Sequence, residues 1–136
     1  MKKLFVLLFV LFCFVQINYA DVTKLRTSGV ATQYKNEYSG VWDDWGAWED
    51  CNVLIVIDED RDRITIYSQR TQEYDIIGIG QEEEDYESSS LTFDCVDEEG
   101  IRCSLTIRVY NNNSLGSQLY VNYNDIRWVY SIPSNY

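Results

Sequence analysis

The feature that most constrains this chain is a strict period of two. From Ile101 to Val109, the residues Ile101, Cys103, Leu105, Ile107 and Val109 fall on one side, and Arg102, Ser104, Thr106 and Arg108 fall on the other. A helix repeats every 3.6 residues and cannot keep such a series on one face; a half-buried strand does so automatically. The preceding run, Leu91-Thr92-Phe93-Asp94-Cys95-Val96, has the same period and is separated from it by Asp97 to Gly100. The two runs read as an antiparallel hairpin, with Gly100 at the left-handed position of its turn. Their inward set is Leu91, Phe93, Cys95, Cys103, Leu105, Ile107 and Val109.

The same pattern spreads in both directions. Asn52 to Ile57 is an apolar run answered by Ile64 to Tyr67 across the turn Asp58 to Arg63. Tyr74 to Ile79 is a further strand, with Gly78 and Gly80 marking a bulge or a close backbone approach. Leu119 to Tyr123 turns at Asn124-Asp125 into Ile126 to Ile132, and Pro133 ends the ladder. With a first strand around Tyr38 to Trp42, the chain reads as all-β, an antiparallel meander of seven to eight short strands. Bare edges invite aggregation, so such a meander closes into a small barrel or curls into a half-open sheet with covered edges.

Ahead of this domain stand Lys2 and Lys3, an uncharged apolar stretch from Leu4 to Val15, and Ala20 before Asp21. That order reads as a secretory signal peptide over 1–20. Residues 21–36 are polar and weakly patterned and read as a loosely held lead-in, which leaves 37–136 as a single all-β domain. No later stretch approaches the ~20 apolar residues of a membrane span. The expected location is secreted, periplasmic or extracellular, where disulfides persist.

Removing Lys2 and Lys3 with the signal leaves nine basic residues against 22 acidic ones, a net charge of −13. Nucleic acid and anionic membranes are repelled by such a surface. The sequence contains no histidine, which excludes histidine-based triads and general bases as well as histidine ligands to metals. Gly78-Ile79-Gly80 lacks the third glycine of a dinucleotide fingerprint and runs into acidic residues that repel phosphate. Asp58, Asp60 and Asp62 alternate as in a calcium loop, but the sixth position holds Arg63 in place of glycine and the twelfth holds Gln69 in place of glutamate. No cofactor and no metal site are expected. Carboxylates abound without a pairing signal for glycoside hydrolysis.

Cys51, Cys95 and Cys103 follow the signal. Cys95 and Cys103 are equidistant from Glu99, so the hairpin sets them opposite one another and makes them the first disulfide candidate. A bridge from Cys51 to either one, and buried free thiols, are the alternatives.

After the signal there is one phenylalanine, Phe93, against four tryptophans and ten tyrosines. Nearly every ring therefore carries a polar handle. Trp42, Trp45 and Trp48 recur every third residue, a spacing that suits neither strand nor long helix; together with Trp128 they are the ligand-contact candidates. Either they form a platform at a rim for a protein, a glycan or a small apolar ligand, or some of them plug the end of the core. Gly40-Val41-Trp42 together with Arg127 resembles the Gly-x-Trp and closing arginine of lipocalin-type barrels, where the arginine packs across the tryptophan. That resemblance covers four residues and implies a barrel. The expected function is a non-catalytic binding or interaction module, with a calcium-associated envelope or adhesion protein as the alternative and a carboxylate-based glycosidase as the third.

Overall fold

A computed structural model describes residues 22–112 and 115–134. Among the described residues eleven strands follow one another: β1 (Val22–Arg26), β2 (Gly29–Tyr34), β3 (Glu49–Asp50), β4 (Leu54–Asp58), β5 (Arg63–Tyr67), β6 (Gln72–Ile79), β7 (Glu83–Glu84), β8 (Ser88–Asp97), β9 (Arg102–Tyr110), β10 (Ser117–Asn122) and β11 (Ile126–Ile132). All pairings are antiparallel, and the sheet runs β1-β4-β5-β6-β8-β9-β10-β11-β2-β3, with β7 flanking β8. From β4 to β11 it is the expected meander. The proposed signal segment lies outside the described residues.

The lead-in proves to be structure. Residues 22–34 form β1 and β2, and this stretch serves both ends of the meander: β1 pairs with β4, and β2 pairs with β11. The changeover occurs at Thr27 and Ser28. The Thr27 N–H donates to the Val53 carbonyl (3.1 Å), and the Ser28 N–H donates to the Ser131 carbonyl (2.8 Å). The Thr27 hydroxyl accepts the Val53 N–H (2.9 Å), which replaces a ladder bond where the strand bends. The sheet thus curls into a half-barrel whose two ends are held to each other by one bent strand. The first strand expected at Tyr38 to Trp42 is instead part of a long loop from Lys35 to Trp48, with one isolated bridge, Lys35 to Trp42.

The inner face carries the core. Ile55, Ile57, Ile64, Ile66, Leu91, Phe93, Cys95, Leu105, Ile107, Leu119 and Val121 are all fully buried. They alternate with solvent-facing residues along each of their strands except β5, where Thr65 is buried as well. At about 1.5–3 kcal/mol for each fully buried large aliphatic or aromatic side chain, this face is the main source of stability. Of the expected inward set, Cys103 and Val109 are only partly buried and pack against the cluster at its ends.

The hairpin forms as read, with Cys95 opposite Cys103 and Gly100 at a φ of 82°. The expected bulge in β6 appears as a register shift between Ile76 and Gly78. The disulfide does not follow: Cys51, Cys95 and Cys103 are free thiols. The Asp97 N–H donates to the Ile101 carbonyl (3.0 Å), and hydrogen-bonded and non-hydrogen-bonded pairs alternate along an antiparallel ladder. Two steps on, Cys95 and Cys103 therefore occupy a hydrogen-bonded pair, in which the side chains stand wider apart than in the pair type that suits a disulfide.

Gly116 lets the loop enter β10. Its φ is 70°, and a Cβ there would stand 2.3 Å from the Ile132 carbonyl oxygen. Gly40 has a φ of 71° but nothing within 4 Å of such a Cβ. Gly116→Ala is expected to cost roughly 2–4 kcal/mol, from left-handed strain plus backbone overlap, while Gly40→Ala costs about 1 kcal/mol. Thermal denaturation of the two variants checks this, and equal melting temperatures would contradict it.

Candidate functional site

The four tryptophans separate into two places. Trp128 lies on the inner face of β11, in register with Tyr130 and Ile132. Trp42, Trp45 and Trp48 lie on the long loop and cross the outer face of β2, β11 and β10. None of these three belongs to the core cluster, so the core-plug reading fails for them. Trp48 packs beside Gly29, where a Cβ would stand 3.4 Å from the indole. Trp45 meets Tyr120 of β10 edge-on, with ring centroids 6.2 Å apart. The loop's cover explains why outward-facing Ala31 and Val129 are only 3% exposed.

The loop is held along its length. The Asp43 N–H donates to the Tyr34 carbonyl and the Gly46 N–H to the Thr32 carbonyl, each at 2.8 Å, so the loop follows the edge of β2. Gln33 is 7% exposed; its amide NH₂ donates to the Asp43 carbonyl (2.6 Å), and its amide oxygen accepts from Arg127 Nε. The Arg127 guanidinium then sits 4.3 Å from the centre of the Trp42 ring and 5.5 Å from that of Trp45. The arginine–tryptophan contact suggested by Gly40-Val41-Trp42 therefore exists. Trp42, however, follows β2 instead of lying on a strand, and fully buried side chains line the inner face of the half-barrel. The likeness to lipocalin-type barrels ends at that contact.

Trp45 and Trp48 remain 38% and 52% exposed, and Tyr38 and Val41 on the same loop are exposed too. Acidic Glu37, Asp43, Asp44, Glu49 and Asp50 flank them in the chain, against Lys35, whose ammonium lies 5.7 Å from the centre of the Trp42 ring. The result is a rigidly mounted aromatic surface in an acidic field.

The second place is the mouth of the half-barrel, where the β5–β6, β8–β9 and β10–β11 turns meet around a cleft of about 340 Å³. Trp128 stacks on Tyr123 there, with ring centroids 5.7 Å apart and planes 22° from parallel. The Tyr123 hydroxyl donates to Asp97 (2.8 Å) and the Tyr74 hydroxyl donates to Gln72 (2.6 Å); the Gln72 amide donates in turn to the Tyr130 hydroxyl (3.2 Å). Sequence reading missed this network, because its members lie on four separate strands and turns. The tyrosine-for-phenylalanine bias was the available signal.

Burial raises the pKa of Tyr74, Tyr123 and Tyr130, and for Tyr123 the hydrogen bond to Asp97 adds to it. Cys95 is pushed up to about 12, by burial first and then by the neighbouring Cys103, which burial raises as well. Burial works against ionised Asp97, but hydrogen bonds from the Ile101 N–H, the Tyr123 hydroxyl and the Glu99 N–H outweigh it and hold this carboxyl below its ordinary range. A thiol at about 12 is a poor nucleophile at neutral pH.

The acidic turns are occupied from within. Asp58 accepts the Arg61 N–H and pairs with its side chain, and Arg63 pairs with Asp75 at 3.1 Å. Asp85 accepts the Glu87 and Ser88 N–H groups. Among the described residues no three metal-ligating side chains converge. Comparison with protein-family models, with curated proteins and with solved structures finds no match to this chain.

A group whose folded pKa exceeds its unfolded value stabilises the fold fully below the unfolded value, and the contribution fades as pH rises through the folded one. For the thiols and tyrosines that window opens near pH 8.5–10, their unfolded range, and extends to about 12 for Cys95. The melting temperature is expected to hold steady from pH ~5 to ~8.5 and to fall progressively above it; below pH ~4 it falls as well, because protonation of Asp97 and Asp85 removes the hydrogen bonds that favour their charged forms. Native Cys95 should also resist iodoacetamide at pH ~8 and react once unfolded. A flat alkaline melting profile, or equal labelling in the two states, would contradict this.

Proposed function

We propose that this chain is a secreted, non-catalytic binding module that meets a protein partner through the aromatic loop. The observation that carries this reading is the pre-mounted, outward-facing pair Trp45 and Trp48, braced from behind by Arg127 between Trp42 and Trp45. Large rings left exposed cost solvation, whereas rings fixed before binding lose little conformational freedom on meeting a partner. Tryptophan, tyrosine and arginine are also the residue types that dominate binding hot spots. The acidic residues around the rings favour a basic partner and steer its approach.

The inner face carries fully buried core side chains, and the cleft at the mouth is ringed by Glu73, Asp97, Glu98 and Glu99, which argues against carriage of a wholly apolar ligand. The calcium-associated alternative has no converging carboxylates to build on among the described residues. The glycosidase alternative lacks a supporting constellation: the one carboxylate whose environment is clearly perturbed at the mouth, Asp97, is committed to capping a turn.

The test is selection from a random-peptide display library on the full chain, with counter-selection on Trp45→Ala/Trp48→Ala. Neither side chain belongs to the core cluster, so the double variant is expected to stay folded, with a lowered melting temperature because the rings no longer cover Gly29 and Tyr120. Selected peptides should be rich in lysine and arginine and lose at least ~30-fold in affinity on the double variant, the equivalent of about 2 kcal/mol. Arg127→Ala should weaken the same peptides by loosening the loop. Peptides that bind the double variant as tightly as the parent would overturn this reading.

A further inference from the structure

We propose that the cleft at the mouth of the half-barrel binds an organic cation, an ammonium group carried on an apolar body. This is a second site, independent of the aromatic loop. The cleft's volume of about 340 Å³ is at the lower end of the range of small-molecule sites, ~300–1,000 Å³. Its apolar walls are Trp128 and Tyr123, stacked on each other, with buried Tyr74 beside them.

The polar atoms of these walls are already directed. The Tyr123 hydroxyl hydrogen points to Asp97, that of Tyr74 to Gln72, and the Gln72 amide to Ser68 and Tyr130. Apart from Arg70 and the Thr71 hydroxyl, the side-chain donors lining this cleft are thus committed within the protein.

Its charge has the opposite bias. Glu73, Asp97, Glu98 and Glu99 line it against the single cation Arg70. Glu73 is partly offset by Arg63 (3.8 Å), and Glu98 accepts the Glu73 N–H (3.1 Å). A metal ion would need oxygens converging on one point, and no such set exists among the described residues. Carboxylates spread around a mouth lined by aromatic rings suit a diffuse organic cation instead. An ammonium within ~6 Å of a ring centre gains cation–π attraction, strongest over tryptophan, while its body covers the apolar wall.

The experiment follows the Trp128 indole N–H resonance of the full chain, assigned by its disappearance in Trp128→Phe, against three probes of one shape: 2-phenylethylamine, 2-phenylethanol and phenylacetate. The amine is expected to shift Trp128 with a Kd in the millimolar range, the alcohol to bind at least ~10-fold more weakly, and phenylacetate to leave the resonance unmoved. Glu98→Gln/Glu99→Gln, which keeps the acceptor for the Glu73 N–H, should weaken the amine ~10-fold, and so should raising the salt from ~20 to ~300 mM. Three results would each overturn the proposal: equal shifts from all three probes, amine binding indifferent to the double variant, or no Trp128 shift at ~10 mM amine. A shift of the Trp45 and Trp48 resonances alone would also overturn it, by placing the amine on the aromatic loop.

Discussion

The structure depends on one strand pairing with two neighbours. An open meander from β4 to β11 would leave a row of unpaired backbone groups at each end, a template for aggregation and a loss of core cover. Residues 22–34 cover both of these edges at once by giving β1 to β4 and β2 to β11, which leaves the short β1 and β3 as the ends of the sheet. The bend that makes this possible would break the ladder, and the Thr27 hydroxyl repairs it by taking the Val53 N–H. Thr27 is almost fully buried, so an unrepaired N–H there would be costly. Core closure, loop placement and the mouth of the half-barrel all rest on that changeover.

The aromatic residues are distributed by the same logic of satisfied polar groups. Phe93, 1% exposed, lies within the core cluster, and its ring needs no hydrogen-bond partner there. Tyr74, Tyr123 and Tyr130 sit at its wet end, where Gln72 and Asp97 take or supply the hydrogen bonds of their hydroxyls. The tryptophans at 42, 45 and 48 lie outside the sheet, over a strip opened by Gly29 and Ala31. Among the described residues, where Phe93 is the single phenylalanine, a ring with a polar end is thus used wherever one end meets water.

Much of the fold was legible in the sequence. The alternation from Ile101 to Val109, the turn at Gly100, the bulge near Gly78 and the facing of Cys95 and Cys103 all follow from local rules that tertiary contacts reinforce. The first 13 described residues, 22–34, were not legible. Their inward positions are Thr23, Leu25 and Thr27, and the small Gly29 and Ala31 are buried by the loop above them. Only Leu25 among these has the bulk that announces a strand. Whether Cys95 and Cys103 formed a bridge turned on which type of ladder pair they occupied, a phase set by the turn and invisible in their spacing. For the candidate site, the residue types were readable but their grouping was not. Arg127 and Trp42 are far apart in the chain, and Trp128 joins Tyr74 only through the curl of the sheet.

The same seam has a kinetic meaning. The β2–β11 ladder joins Ala31 to Val129 and Gln33 to Arg127, so β2 cannot seat until β11, about a hundred residues further along, is in place. Non-local pairing of this kind makes folding slow, because a long loop must be closed before the contact stabilises anything. The N-terminal stretch, with few large apolar side chains, can stay extended and solvated meanwhile without offering a sticky surface. The seam between β2 and β11 is therefore a pairing that closes only after the β10–β11 hairpin has formed.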